Sequence, residues 1–239
     1  MFTMRWSLSG QPLILASASP TRAGLLESAK LLFEMVPAVV DEEAIKHSAL
    51  QEGFSFDDIA ILLSEMKAKA VSQQKKGYVL GCDQILVCAD QLFSKPADLA
   101  GAKAHLSSLQ GQKHSLITAC VLFHDQKRIW HYISTSTLTM RTLSENEIDN
   151  YIRGFPEACL STPGAYQLKQ AARICLLISL AQITIYWGFL CCHYWHFCVK
   201  MALQLERQDK NAYCWFNRVY CDRKINSSGY ASPVKFSGP

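Results

Sequence analysis

The segment from Leu13 to Ala29 constrains the fold most, because it combines a strand, a tight loop and the start of a helix. Leu13 to Ala16 form a short apolar run that is typical of a buried strand. Pro20 suits the first turn of a helix, since it has no N–H group to lose there, and Ser19 before it is a good N-cap. Together with the alternating segments that follow, this unit predicts an α/β protein with parallel and antiparallel strands.

The same turn brings together groups that bind anions. Backbone N–H groups at the helix N-terminus, the hydroxyls of Ser17 and Ser19 and the guanidinium of Arg22 would all converge there. Such an arrangement suits a phosphate, because the N–H groups and the helix dipole both favour negative charge. The alternative is an ordinary capped helix that carries a surface arginine.

An aspartate interrupts the longest apolar strand of the first half of the chain. Tyr78 to Val87 is a continuous apolar run, apart from Asp83 and Gln84, and such runs indicate a strand buried on both faces. A buried aspartate is costly unless it is paired, hydrogen-bonded or bound to a metal, so Asp83 is a candidate for a functional site. The alternative is an aspartate that turns the chain after Gly81.

Further patterns predict the remaining elements. Phe33 to Val40 is typical of a strand, and Phe56 to Val71 and Asp98 to Gln110 have apolar residues at helical spacing. Ser144 and Glu147 have the spacing of a capping box, which marks the start of a helix. A lone strand histidine, His114, is interpreted as structural.

Several of these segments, in this order, resemble the Maf family of nucleotide pyrophosphatases. The matching motifs are S-A-S-P-x-R from Ser17, Val-Asp-Glu from Val40, L-S-E-M-K-A from Leu63, G-C-D-Q from Gly81, Lys95-Pro96 and G-A-Y-Q-L from Gly164. The resemblance covers Leu13 to Leu168 and implies a mixed-sheet fold, similar to inosine-triphosphate pyrophosphatases, with a cleft between two lobes. Thr21 stands where the family usually has a first arginine, which leaves Arg22 alone.

The resemblance implies an activity and a set of site residues. The expected reaction is hydrolysis of a nucleoside triphosphate to the monophosphate and pyrophosphate, with Asp83 as the catalytic residue. Glu42 and Asp83 are expected to hold a divalent cation, Mg²⁺ or Mn²⁺. The residues expected to bind substrate are Ser17, Ser19, Arg22, Lys67, Gln84 and Lys95. Without the family, Lys67 reads as a surface lysine, and Asp41 and Glu42 read as solvated carboxylates.

The resemblance and the composition also bear on substrate, partners and compartment. Gln84, where many family members have threonine, resembles the branch that acts on 7-methyl-GTP rather than on dTTP and UTP. A net charge of +4 with 18% charged residues gives no case for a nucleic-acid partner. Residues 1–11 contain no apolar signal-peptide core, which predicts a cytoplasmic protein with reduced thiols. The family suggests a homodimer.

The composition changes near Lys169, and the sequence predicts two parts: a Maf-like domain over 1–169 and an atypical tail over 170–239. Ile174 to Val199 contains no charged residue and is long enough to cross a hydrocarbon core of roughly 30 Å. This segment could therefore be a membrane anchor. A zinc site is a second interpretation, because the segment offers suitable ligand types: Cys191, Cys192, His193, His196 and Cys198.

A third interpretation is that the tail is encoded out of frame. Pairing the third base of each codon with the first two bases of the next converts Trp187 to Val199 into G-[L/F]-P-L-L-P-L-L-A-[L/F]-L-R. This string resembles the closing G-L-P-L segment of the Maf fold. A lost base near codons 169–170 would explain both the crowding of Cys, Trp and His and the missing end of the family pattern. This is the interpretation we favour.

Overall fold

The computed structural model describes residues 11–167 and two short strands near the end of the chain, at 224–225 and 231–232. The strands are β1 Leu13–Leu15, β2 Phe33–Met35, β3 Tyr78–Cys88, β4 Gln91–Phe93, β5 Lys113–His124, β6 Lys127–Thr139, β7 Lys224–Ile225 and β8 Ala231–Ser232. The helices are α1 Pro20–Ser28, α2 Glu42–Gln51, α3 Phe56–Ser72, α4 Leu99–Leu109, α5 Glu145–Gly154 and α6 Pro156–Ser161. A single 3-10 turn, Pro163–Ala165, follows α6.

The strands β1 to β6 form one mixed sheet around β3. Its order is β2-β1-β3-β5-β6, with β4 also paired to β3. β1 runs parallel to β2 and β3, whereas β3, β4, β5 and β6 are joined by antiparallel pairing. The predicted α/β class with a mixed sheet is confirmed.

One edge of β3 is left open in the middle of the strand. β5 pairs with nearly the whole length of the other edge, from Tyr78 to Val87. On the open edge, β1 pairs with Val79 and Leu80 and β4 pairs from Leu86 onward. Among the described strands, none pairs with residues 81–85 on that side, so the loop that follows β1 approaches β3 there.

Helix α3 covers one face of β3 at very short range, and Gly81 permits this. A Cβ atom at Gly81 would clash with the carbonyl oxygen of Ser64 and lie 2.8 Å from the backbone nitrogen of Ala68. The hydroxyl of Ser64 donates to the carbonyl of Ala119 on β5 at 3.0 Å, which ties the helix to the sheet. The absence of a side chain at Gly81 therefore sets how closely α3 approaches Asp83.

The other face of the sheet carries two separate apolar clusters. One packs α1 against β1 and the first half of β3, through residues such as Leu26 and Leu80. The second packs α4 and α5 against the second half of β3, through residues such as Leu86 and Leu106. Gln84 lies between the two clusters and is exposed. This division agrees with the predicted arrangement of two lobes.

The predicted elements are largely present, with two differences. The strand from Phe33 ends at Met35 rather than at Val40, and Val39 is 94% exposed. The acidic run after it does not simply end a strand, because Asp41 caps a helix, α2, that the sequence analysis did not predict. No helix within the described residues is long and apolar enough to cross a membrane. Ile174 to Val199 and the proposed zinc ligands lie outside the described residues.

Candidate active site

A buried lysine joins two carboxylates at the centre of the sheet. Lys67 projects from α3, and its Nζ donates to Oδ1 of Asp83 at 2.6 Å. The same Nζ lies 2.8 Å from Oε1 of Glu42, at the start of α2. Asp83 and Lys67 are 5% and 6% exposed, so this pair is largely removed from water. Strand β3 and helices α2 and α3 thus bring three predicted site residues together.

The turn between β1 and α1 supplies a second cation to the same carboxylate. Nη2 of Arg22 lies 3.6 Å from Oδ1 of Asp83, and its Nη1 donates to Oγ of Ser17 at 3.0 Å. Oγ of Ser17 also accepts from the backbone N–H of Ser19 at 3.1 Å. Ser19 caps α1, since its hydroxyl accepts from the N–H of Arg22 at 3.4 Å. The predicted N-cap and the convergence of Ser17, Ser19 and Arg22 are therefore both observed.

Glu42 is surrounded by positive charge. Burial alone would raise the pKa of Glu42, but a hydrogen bond from Lys67 and the charges of Lys67, Lys95 and Lys46 outweigh it and lower the pKa. Lys95 is exposed and follows β4. Lys46 on α2 contacts Ser94, the residue before Lys95, so the Lys95-Pro96 segment lies next to the helix that carries Glu42.

Gln84 points away from this cluster. Successive side chains of a strand point to opposite faces, so Asp83 faces α3 and Gln84 faces the gap between the two apolar clusters. Nε2 of Gln84 donates to Oγ1 of Thr118 on β5 at 2.7 Å. A ligand that touched both Asp83 and Gln84 would have to reach across the open edge of β3.

Two other residues considered from the sequence have structural partners. Asp41 is the N-cap of α2, because its Oδ1 accepts from the N–H of Ala44 at 3.0 Å. Nε2 of His114 lies 2.6 Å from the hydroxyl of Tyr166 inside the core, in agreement with the structural interpretation of this histidine. Burial lowers its pKa, which favours the neutral ring.

Comparisons with known proteins give the family of this chain. A model of the family described as Maf-like protein matches residues 12–182. The chain belongs to this family. A 7-methyl-GTP pyrophosphatase of Mesorhizobium japonicum is 41% identical over 160 residues, which cover 66% of this chain and 80% of that protein. A nucleoside triphosphate pyrophosphatase of Paramagnetospirillum magneticum is 43% identical over 157 residues, which cover 65% and 81% of the two chains.

One solved structure gives a weaker match. The crystal structure of a nucleoside-triphosphatase / dITP/XTP pyrophosphatase from Mycobacterium abscessus overlaps this Maf-like protein with a TM-score of 0.34 and 15% identity. The overlap covers 56% of this chain and 76% of that chain. A score of this size is too low for a comparison of the two sites. The resemblance to the Maf family inferred from the sequence is confirmed by the family model and the relatives.

The donor set of this Maf-like protein suits a divalent cation that is shared with a substrate. Mg²⁺ is usually held by one or two carboxylates together with substrate phosphates. Asp83 and Glu42 are two such carboxylates, and their shared contact with Nζ of Lys67 shows that they lie close together. The described residues contain no group of three or more His, Cys, Asp or Glu side chains that could hold a metal alone. The chemistry therefore fits a cation that completes its coordination with phosphate oxygens.

Four residues near the site had no role assigned from the sequence: Glu43, Lys46, Ser94 and Thr118. Lys46 is 6% exposed on α2 and contacts Ser94, which directly precedes Lys95. Thr118 holds the amide of Gln84. Glu43 and Lys46 have the i,i+3 spacing of an ion pair on a helix. This spacing predicts an ion pair only if the segment is known to be helical, and α2 was not predicted. No sequence pattern connects Gln84 with Thr118, because strand pairing alone makes them neighbours.

Proposed function

We propose that this protein hydrolyses a nucleoside triphosphate to the monophosphate and pyrophosphate. One observation supports the proposal most directly: a buried carboxylate, Asp83, is contacted by cations from two helices and lies at an open strand edge. Lys67 from α3 is 2.6 Å from Asp83, and Arg22 from α1 is 3.6 Å from it. Positive charge around one carboxylate suits a polyphosphate substrate and a hydrolytic water. The names of the two relatives support the same reaction.

In the proposed reaction, water attacks the α-phosphorus while Asp83 orients it and accepts its proton. A bond forms between the water oxygen and the α-phosphorus, and the bond from that phosphorus to the bridging oxygen breaks. The bridging oxygen leaves with the β- and γ-phosphoryl groups as pyrophosphate. Arg22, Lys67 and Lys95 stabilise the negative charge that develops on this leaving group.

Glu42 and Asp83 are the residues we propose to hold a divalent cation, Mg²⁺ or Mn²⁺. Such a cation, when bound, neutralises phosphate charge and polarises phosphoryl oxygens. In this scheme Ser17 and Ser19 position the triphosphate through the hydroxyl and backbone groups at the N-terminus of α1. The short network from Arg22 to Ser17 and Ser19 supports this role, because it holds the turn in one geometry.

The substrate we favour is 7-methyl-GTP. This assignment rests on Gln84. The hydrogen bond from its amide to Thr118 fixes the amide at the gap between the two lobes. The relative of Mesorhizobium japonicum that bears this activity in its name supports the assignment. We further propose that the protein is a homodimer that acts in the cytoplasm. The reduced state of its described cysteines supports a cytoplasmic location, because all four are free thiols: Cys82, Cys88, Cys120 and Cys159.

The experiment measures release of pyrophosphate and of monophosphate from 7-methyl-GTP, dTTP and UTP in the presence of Mg²⁺. We expect equal amounts of the two products and the highest rate with 7-methyl-GTP. Asp83→Asn should lower kcat by about 10²–10⁴-fold, the range for loss of a general base. The matched control is Asp149→Asn, which removes an exposed ion pair with Lys103 on the far side of the second lobe.

Each outcome addresses a separate part of the proposal. Preference for dTTP would overturn the assignment of the substrate but leave the reaction intact. Release of inorganic phosphate instead of pyrophosphate would overturn the reaction. Equal rates in Asp83→Asn and Asp149→Asn would remove Asp83 from the mechanism.

A further inference from the structure

A second buried lysine lies beside the site and has no role in the proposed mechanism. Nζ of Lys46, on α2, lies 2.8 Å from Oε1 of Glu43 and donates to Oγ of Ser94 at 3.4 Å. The hydroxyl of Ser94 donates to Oε2 of Glu43 at 2.7 Å. The three side chains thus form a closed triangle, which we call the Lys46 bridge. It joins helix α2 to the residue that follows β4, although 48 positions separate Lys46 from Ser94.

Stability alone does not account for the Lys46 bridge. The side chain of Lys46 is 8% exposed, whereas that of Glu43 is 65% exposed. A buried lysine loses most of its hydration, and its attraction to a well-solvated carboxylate is strongly screened. An apolar residue of similar length would fill the same space without this penalty. The charge at position 46 therefore points to a role in geometry.

The Lys46 bridge holds the chain immediately before Lys95. Ser94 is the last residue before Lys95, and Pro96 after it restricts Lys95 to an extended backbone. Within the described part of the chain, Lys95 makes no ion pair shorter than 4.0 Å, so its backbone position sets the region that its ammonium group can reach. The other end of the bridge lies one turn along α2 from Glu42. The bridge therefore couples the two segments that carry Lys95 and Glu42.

We propose that Lys46 is a positioning residue: through Glu43 and Ser94 it fixes the Lys95 segment relative to α2, so that Lys95 meets the triphosphate. This inference rests on the proposed function, since binding of phosphate by Lys95 is part of that proposal. Lys46 itself need not touch the substrate.

The kinetic test compares Lys46→Met with Lys75→Met. Lys75 is the matched control, because its ion pair with Glu34 at 2.9 Å is exposed and lies at the opposite edge of the sheet. We expect Lys46→Met to raise KM about tenfold, the weakening that follows loss of one charge-assisted contact. We expect kcat to change less, because the contacts of Asp83 and Lys67 remain. Lys46→Arg should restore most of the affinity, and Lys75→Met should match the wild type.

A double-mutant cycle separates positioning from a general structural role. If Lys46 acts through Lys95, then Lys46→Met should cause no further loss in a Lys95→Ala background. Ser94→Ala, which breaks the bridge without removing a charge, should reproduce the rise in KM. Additive effects of Lys46→Met and Lys95→Ala would overturn the inference.

Hydrogen exchange provides a readout that does not depend on activity. Amides of residues 91–95 should exchange faster in Lys46→Met and in Ser94→Ala than in the wild type, and Lys75→Met should leave them unchanged. Unchanged exchange in Lys46→Met would overturn the positioning role whatever the kinetics show. An inactive wild-type protein would count against the proposed function, whereas an active wild type with an equally active Lys46→Met would count against Lys46 alone.

Discussion

Lys67 is the residue on which the charge balance of the site depends most. It is the hydrogen-bonded cation shared by Asp83 and Glu42, at 2.6 and 2.8 Å. Removing one partner of a buried ion pair costs about 3–5 kcal/mol, because the other charge stays buried without compensation. Lys67→Met should therefore lower the unfolding midpoint strongly at neutral pH. Lys75→Met, at an exposed pair, should cost no more than about 1 kcal/mol.

The stability lost in Lys67→Met should depend on pH, because the pKa of Glu42 is shifted in the wild type. In the wild type the pKa of Glu42 is below its ordinary value of 4.5. Its ion pair therefore contributes stability above pH 4.5, and this contribution is lost as the pH falls through the lowered pKa. Lys67→Met removes the hydrogen bond and the charge of Lys67, whereas burial and the charges of Lys95 and Lys46 remain. The pKa of Glu42 should therefore be higher than in the wild type, so protonation of Glu42 relieves part of the penalty. The difference in unfolding midpoint between the wild type and Lys67→Met should become smaller as the pH falls from 7 to 4. A difference that stays constant would contradict this account.

At the scale of elements, the approach of α3 to β3 depends on one glycine. In Gly81→Ala, the new Cβ would meet backbone atoms of Ser64 and Ala68, which cannot rotate away. The helix would have to shift, and Lys67 with it. We expect a loss of about 1–3 kcal/mol in unfolding free energy, typical of overpacking, together with reduced activity.

The control for this prediction is Gly24→Ala in α1. A Cβ at Gly24 would meet no atom within 4 Å, and alanine is the better helix former, so this variant should gain about 0.5–1 kcal/mol. Thermal unfolding and rates of hydrolysis should be measured for both variants. If Gly81→Ala is as stable as the wild type, then α3 and β3 can accommodate a methyl group at position 81, and the prediction is wrong.

The sequence predicted those elements whose local signals agree with one another. Ser19 and Pro20 mark the start of α1, and the capping box of Ser144 and Glu147 marks the start of α5, because these signals need only neighbouring residues. Helix α2 was missed, since its buried residues, Lys46 and Ala49, give no apolar periodicity. Likewise, the family pattern indicated Asp83 and Lys67, but only strand and helix packing brings Ser94 to Lys46.

At the scale of the whole molecule, the site lies at the open edge of β3. Asp83 faces α3, and Gln84 on the opposite face lies between the two apolar clusters. The cluster that contains Leu26 and Leu80 fixes the turn with Arg22, and the cluster that contains Leu86 and Leu106 supports the segment after β4. Different clusters thus support the turn that carries Arg22 and the segment that precedes Lys95. A nucleotide bound there would contact both lobes, so binding should also stabilise their relative position.

The last prediction concerns the tail from residue 170, which lies outside the described core. If a lost base near codons 169–170 replaced the native end, the chain lacks a Leu-rich segment that packs on the core. Each lost large side chain would cost ~2–5 kcal/mol. A few such losses approach the ~5–15 kcal/mol that stabilises a whole domain. We therefore expect the chain as written to be unstable, and either to aggregate or to associate with membranes.

Resequencing the gene across codons 160–210 and comparing the two proteins tests this prediction. The frame-restored protein should unfold cooperatively and at a higher temperature, and it should be the better catalyst. A soluble monomer with a cooperative transition and full activity from the chain as written would contradict the prediction. In that case the tail is a genuine part of the protein, and Ile174 to Val199 becomes the segment to test for membrane association by a carbonate wash.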